Sequence, residues 1–171
     1  MKKLILLTAV TIFASAVCVA QKREGLKLSV GPELAFTTGS FSNTHSIGIG
    51  GTAQLEIKLQ EKLQGVAYGG FMFYNGKSVI TSSTKNVGQT IIPIRIGVKY
   101  FLAGSIYGSL QAGVGLLSNY YTGSAFSYSP QVGYEFETKN GKSIDATLKY
   151  DGYAKSGGGI GSFGLRIAYI F

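Results

Sequence analysis

The stretch Ile47-Gly48-Ile49-Gly50-Gly51-Thr52-Ala53-Gln54-Leu55-Glu56-Ile57-Lys58-Leu59 decides the fold. Ile47, Ile49, Gly51, Ala53, Leu55, Ile57 and Leu59 share one parity, while Gly48, Gly50, Thr52, Gln54, Glu56 and Lys58 hold the other. A strand turns successive side chains to opposite faces, so this segment has one apolar face and one polar or glycine face. Strands of ordinary domains average about 5–6 residues, and this alternation outruns them twofold.

The same period recurs along the chain. Ile92, Ile94, Ile96, Val98 and Tyr100 oppose Pro93, Arg95, Gly97 and Lys99. Phe126, Tyr128, Val132, Tyr134 and Phe136 oppose Ser127, Ser129, Gln131, Gly133, Glu135 and Glu137; Ile144, Ala146, Leu148 and Tyr150 oppose Asp145, Thr147, Lys149 and Asp151. Segments around Leu26–Phe36 and Ile106–Leu116 behave alike. Between Leu63 and Tyr74 two parities compete, Val66, Tyr68, Met72 and Tyr74 against Ala67, Phe71 and Phe73. With Leu165, Ile167, Tyr169 and Phe171 at the C-terminus, the count is about eight strands. Connections near Gln60-Glu61-Lys62, Ala103-Gly104-Ser105 and Asn140-Gly141 read as tight turns, Asn-Gly being a strong hairpin signal. Those near Thr37–Ser46, Asn75–Gly88, Ser118–Ala125 and Lys155–Gly159 read as longer loops. Short turns at one end and long loops at the other predict an eight-stranded antiparallel up-and-down transmembrane β-barrel, with the apolar parity facing lipid. Pro32, Pro93 and Pro130 fall inside strands of a barrel without edges, and are expected at bulges or near a rim.

Residues 1–20 have the order of a signal peptide: basic Lys2 and Lys3, the apolar run Leu4–Phe13, then small residues to Ala20. Cleavage after Ala20 is preferred, and Ala14-Ser15-Ala16 is a second acceptable site. Residues 21–171 then form one domain in the outer membrane, without cysteine once Cys18 is removed. The composition agrees. Gly accounts for 25 of 171 residues, roughly twice the usual share. Mean hydropathy is positive, yet beyond the signal no apolar run is long enough for a membrane-spanning helix.

Assigning the apolar parity to lipid turns the charges inward. Lys27, Lys58, Arg95, Lys99, Lys149 and Arg166 face Glu33, Glu56, Glu135, Glu137, Asp145 and Asp151 in a lumen that eight strands leave just wide enough for side chains. Charges so confined must pair, so a salt-bridge network filling the barrel is expected; an ion-conducting pore is the sharper alternative. Removing Lys2 and Lys3 lowers the formal charge from +8 to +6, and that excess falls on the N-terminus, turns and loops. Lys77, Lys85 and Lys155 at the long-loop end suit lipopolysaccharide phosphates. No basic-aromatic platform stands apart from the strands, so nucleic acid is not expected as a partner.

Candidate chemistry is sparse. His45, the single histidine, sits among Ser42, Thr44 and Ser46 without an acidic residue in the same loop. A loop histidine without catalysis is expected, as are no metal site and no cofactor. Gly157-Gly158-Gly159-Ile160-Gly161 lacks the Lys-Ser/Thr ending of a phosphate loop. Tyr120, Tyr121, Phe126 and Tyr128 near one rim, and Tyr100, Tyr134, Phe136, Tyr169 and Phe171 near the other, form two prospective aromatic girdles.

The Ala20-Gln21 junction, the strand Leu26-Lys27-Leu28-Ser29-Val30-Gly31-Pro32-Glu33-Leu34 and the terminal Phe171 resemble the small outer-membrane β-barrel proteins common in Bacteroidota. The terminal pattern Leu165, Ile167, Tyr169, Phe171 resembles the assembly signal of bacterial outer-membrane barrels, which implies the barrel-assembly machinery as a partner during biogenesis. The leading expectation is an integral outer-membrane barrel with a structural or surface-interaction role and no catalysis. A narrow channel, a lipid-modifying enzyme built around His45 and a soluble periplasmic lipocalin-like barrel are the alternatives. The last needs the same parity turned inward, a choice that alternation by itself leaves open.

Overall fold

The alternating segments pair with their chain neighbours and close into a ring. A computed structural model describes residues 25–77, 87–138, 142–155 and 158–171. The elements run β1 (Leu26–Thr38), the single helical turn α1 (Phe41–Thr44), β2 (His45–Lys58), β3 (Leu63–Gly76), β4 (Gln89–Ala103), β5 (Ile106–Asn119), β6 (Gly123–Glu137), β7 (Ser143–Lys155) and β8 (Gly158–Ile170). Every pairing is antiparallel and sequential, and β1 closes on β8 from Ser29↔Ile170 to Thr38↔Gly161. Closure leaves no strand edge unpaired.

The orientation is the one lipid demands. Ile94 is 52% and Leu148 61% exposed, and Ile47, Ile49, Ile96, Leu110, Val132 and Ile167 share that outer face. Arg95, Lys99, Lys149, Glu33, Glu56, Asp145 and Asp151 are buried inside. A barrel in water would hide the aliphatic set and hydrate the ions; this one does the reverse, which removes the lipocalin-like alternative. Phe126 and Tyr128 lie outward near the long-loop end, and Tyr100, Tyr134, Phe136, Tyr169 and Phe171 lie outward near the other.

β3 resolves its two parities through its neighbours. Tyr68 pairs with Gln54 and Arg95, both inward, so Val66, Tyr68, Met72 and Tyr74 enter the lumen while Ala67, Phe71 and Phe73 face out. Inward glycines let the strands curl tightly. A Cβ on Gly50 would lie 2.1 Å from the Phe71 carbonyl oxygen, and one on Gly97 2.1 Å from that of Leu110. Gly48 and Gly133 are instead covered by the rings of Tyr74 and Tyr107.

Three expectations are corrected. The prolines are not at bulges: register shifts occur only between His45 and Gly48 and between Phe101 and Ala103, near the rims, among the described pairings. Each proline pairs on one flank, Pro32 with Gly51, Pro93 with Gly115 and Pro130 with Leu110. On the other flank the ladder skips that position without losing register, from Val30↔Tyr169 to Glu33↔Arg166 for Pro32. A residue in an antiparallel ladder sends its N–H and C=O to the same neighbour, so a missing N–H costs pairing on one side only. Second, two supposed long loops are short, because β5 to β8 run further than their apolar pattern and leave only residues 120–122 and 156–157 as connections. The longer connections are 39–44 and 77–88. Third, Lys58 and Glu137 are exposed rather than luminal. Both end their strands, and correct parity does not bury a side chain that projects past the wall. The signal segment 1–20, Lys85 and the Asn140-Gly141 turn lie outside the described residues.

Candidate functional site

The lumen holds two layers of ions, each with a tyrosine hydrogen-bonded into it. In the layer nearer the short turns, the Lys99 ammonium from β4 donates to Glu56 of β2 at 3.1 and 3.2 Å, to Glu135 of β6, and to Asp145 of β7 at 3.4 Å. These bonds cross the barrel between non-adjacent strands. Lys27 reaches the other Glu135 oxygen at 3.3 Å from the inner mouth, its side chain 42% exposed. Tyr107 donates to Asp145 at 2.7 Å, and its ring lies 4.0 Å beneath the Lys99 ammonium. Arg166 donates to the hydroxyls of Thr52 at 2.9 Å and Ser29 at 2.8 Å and stands 3.6 Å from Asp145. Oxygens of Glu56, Glu135 and Asp145 lie within 4.8 Å of one another, a donor set suited to a metal ion. The Lys99 ammonium occupies their centre and serves as a tethered cation.

The second layer lies above. The Lys149 ammonium meets Glu33 at 2.7 Å and Asp151 at 3.2 Å, and donates to the Tyr68 hydroxyl at 2.9 Å. Tyr68 in turn donates to Glu33 at 2.9 Å. Arg95 donates to the other Asp151 oxygen at 2.5 Å. Both cations flank the Tyr68 ring, Arg95 at 4.7 Å and Lys149 at 4.5 Å from its centroid. Formal charges balance: Lys27, Arg95, Lys99, Lys149 and Arg166 meet Glu33, Glu56, Glu135, Asp145 and Asp151. Of the luminal set read from sequence, Lys58 and Glu137 stand outside, at the exposed rim. Leu165, Ile167, Tyr169 and Phe171 line the outer face of the last strand and its end, Tyr169 and Phe171 in edge contact at 4.9 Å.

Above the ions an apolar layer closes the long-loop end. Ala35, Phe41, Met72, Tyr74, Ile91, Leu117, Ala125 and Tyr153 pack there, with Tyr121 and Ile160 against them. α1 folds inward and delivers Phe41. His45 is no idle loop residue. It is fully buried, its Nδ1 is 2.8 Å from the Thr44 hydroxyl and its Nε2 3.2 Å from the Val87 carbonyl. A carbonyl only accepts, so Nε2 carries the proton. The ring packs on Phe41 at 4.6 Å and Tyr120 at 5.1 Å, and among the described residues no carboxylate bonds to it. Those contacts give His45 a packing role in the mouth.

Several participants escaped the sequence reading. Tyr107 carries the inward parity of its strand and was legible on that ground; Tyr68 required the register with β2. Gln89 is legible only in three dimensions: fully buried, it donates to the carbonyls of Thr90, Ser118 and Tyr121 and accepts from the Tyr121 amide, fastening the β5–β6 connection to β4. The apolar layer was hidden because Phe41 lies in a polar loop sequence.

No protein-family model and no curated protein matches the chain. Solved structures do. It is similar to the Yersinia pestis outer membrane protein Ail in a phospholipid bilayer nanodisc, at 12% identity over 86% of this chain and all of that one, with a TM-score of 0.57. Neisserial surface protein A matches at 12% identity over 86% of this chain and 96% of its own, TM-score 0.60. Outer membrane protein OprG of Pseudomonas aeruginosa matches at 9% over 87% and 97%, TM-score 0.54. The likeness is one of fold.

Proposed function

We propose that this protein is an integral outer-membrane barrel, non-conducting and non-catalytic, whose role is structural or one of interaction at the cell surface. The observation that carries this is the inverted distribution of polarity: aliphatic residues outside, and inside a neutral ionic network capped by a packed apolar layer. An eight-stranded barrel has little lumen to spare, and here side chains from six or more strands fill it. The longer connections and the sealed end face the exterior, and the short turns face the periplasm. Residues 1–20 act as the export signal, and the outward row ending at Phe171 is the segment read by the assembly machinery. Residues 37–46, 75–88, 118–125 and 155–159 contain no Asp or Glu. Among the described residues Lys77 and Lys155 donate to loop carbonyls, of Ser42 at 2.6 Å and Thr122 at 2.5 Å, and meet no carboxylate, which leaves their charge for lipopolysaccharide phosphates.

The test is fractionation followed by electrophysiology. The protein should sediment with envelopes, resist carbonate extraction and migrate differently in gels before and after boiling. Reconstituted in planar bilayers it should show no steady conductance. Solubility of the folded chain in detergent-free buffer would sink the membrane reading, and regular ion-selective openings would replace the plug with a channel.

A further inference from the structure

At the long-loop end, a partly open cavity of about 310 Å³ sits on top of the apolar layer. Its floor is Leu117, Ala125, Ile160 and the rings of Tyr121 and Tyr153, and its rim carries Lys155. The composition is lopsided. Lys155 is the one charged residue among the described lining, and among the described residues no carboxylate reaches its ammonium, whose partner is the Thr122 carbonyl. Tyr153 is only 2% exposed, and its hydroxyl has no hydrogen-bond partner among the described residues. A Cβ at Gly158 would meet nothing within 4 Å among the described residues, and the backbone there, at φ +146°, disfavours any side chain.

We infer that this cavity is a binding site for a small amphipathic carboxylate, its apolar or aromatic body on Leu117, Ala125, Ile160 and Tyr121 and its carboxylate on Lys155. A cavity of 150 Å³ holds one benzene ring, so the volume here admits about twelve non-hydrogen atoms. That is the size of a fused two-ring or ten-carbon acid. The cation selects the head group: a carboxylate on an ammonium that has no other anion forms a charge-assisted hydrogen bond, which a neutral amide or alcohol cannot match. The site rests on the exterior-facing assignment of this end only for the source of its ligand. Failure of binding would leave the barrel's insertion and gel mobility untouched, so the two readings fail separately.

The folded barrel in phosphatidylcholine nanodiscs, titrated with 2-naphthoate and followed by backbone amide shifts, tests this. Saturable shifts are expected at Tyr121, Gly158 and Gly159. Lys155→Met should weaken binding about tenfold, the worth of one charge-assisted hydrogen bond, and Lys77→Met, on the same rim but off the cavity, less than about twofold. 2-Naphthamide should bind wild-type protein about tenfold more weakly although it partitions better into lipid, an arm that needs no variant to fold. No saturable shift up to the probe's solubility, equal weakening by both lysine variants, or equal affinity for the amide would each overturn the proposal.

Discussion

Lys99 is the residue on which the lower ionic layer converges, and its removal separates network from surface pairing. With three carboxylates around one fully buried ammonium, Lys99→Met leaves negative charges that neither water nor Lys27 can compensate. Breaking a buried ion pair from one side costs about 3–5 kcal/mol. Lys27 bonds to the same Glu135 but from a half-exposed position, where a pair contributes about 0–1 kcal/mol. Urea unfolding in lipid vesicles, read by the gel-mobility shift because the chain has no tryptophan, should therefore move far for Lys99→Met and little for Lys27→Ala. Equal midpoints would mean the ions are bystanders to barrel stability. Parity alone identified nearly all these charges as luminal. It could not say which were central, because depth along a strand depends on where the strand ends, and Lys58 and Glu137 show the consequence.

At the scale of strands, register makes neighbouring residues behave oppositely. Gly50 and Gly51 are adjacent in β2 and face opposite sides. A Cβ on Gly50 would meet the Phe71 carbonyl at 2.1 Å, whereas one on Gly51 meets nothing within 4 Å. Gly50→Ala must push β3 away or fail to close, at a cost of about 1–3 kcal/mol or more. Gly51→Ala should be neutral, or stabilising by about 0.4–1 kcal/mol through the unfolded chain. Folding yield and urea midpoints of the pair check this, and similar losses for both would show that glycine at these sites serves flexibility rather than close approach. The strands themselves were plain in the sequence, since period two survives wherever one face meets lipid. β3 was the exception for a physical reason. A lumen rich in ions accepts tyrosine, whose hydroxyl joins the network while its ring lies under an ammonium, so large aromatic residues on the polar side blur the alternation. The mouth was opaque for another reason: Phe41 and His45 are brought in by a one-turn helix whose sequence, Phe41-Ser42-Asn43-Thr44, carries no amphipathic period.

Taken as a whole, the barrel is an inside-out protein, and that property can be probed at a single lipid-facing strand. β4 runs from Gln89 at the sealed end to Ala103 at the short-turn end, with Ile94 near its middle and Tyr100 close to the inner rim, both outward. In hydrocarbon an ammonium near the bilayer midplane costs about 2–4 kcal/mol, falling to about 0–1 kcal/mol near the interface, where the side chain reaches head groups. Ile94→Lys should therefore lower the folding free energy in phosphatidylcholine vesicles several times more than Tyr100→Lys, even though Tyr100→Lys removes the larger side chain. In water the order would reverse, because a lysine on a solvated surface costs nothing and the lost aromatic packing would dominate. Vesicle thickness supplies the control. In thinner bilayers the Ile94→Lys penalty should shrink as the ammonium snorkels to the interface, while the Tyr100→Lys value should stay nearly constant. A penalty at Ile94 that ignores bilayer thickness would place that face against protein or water, and the assignment of inside and outside would fall with it.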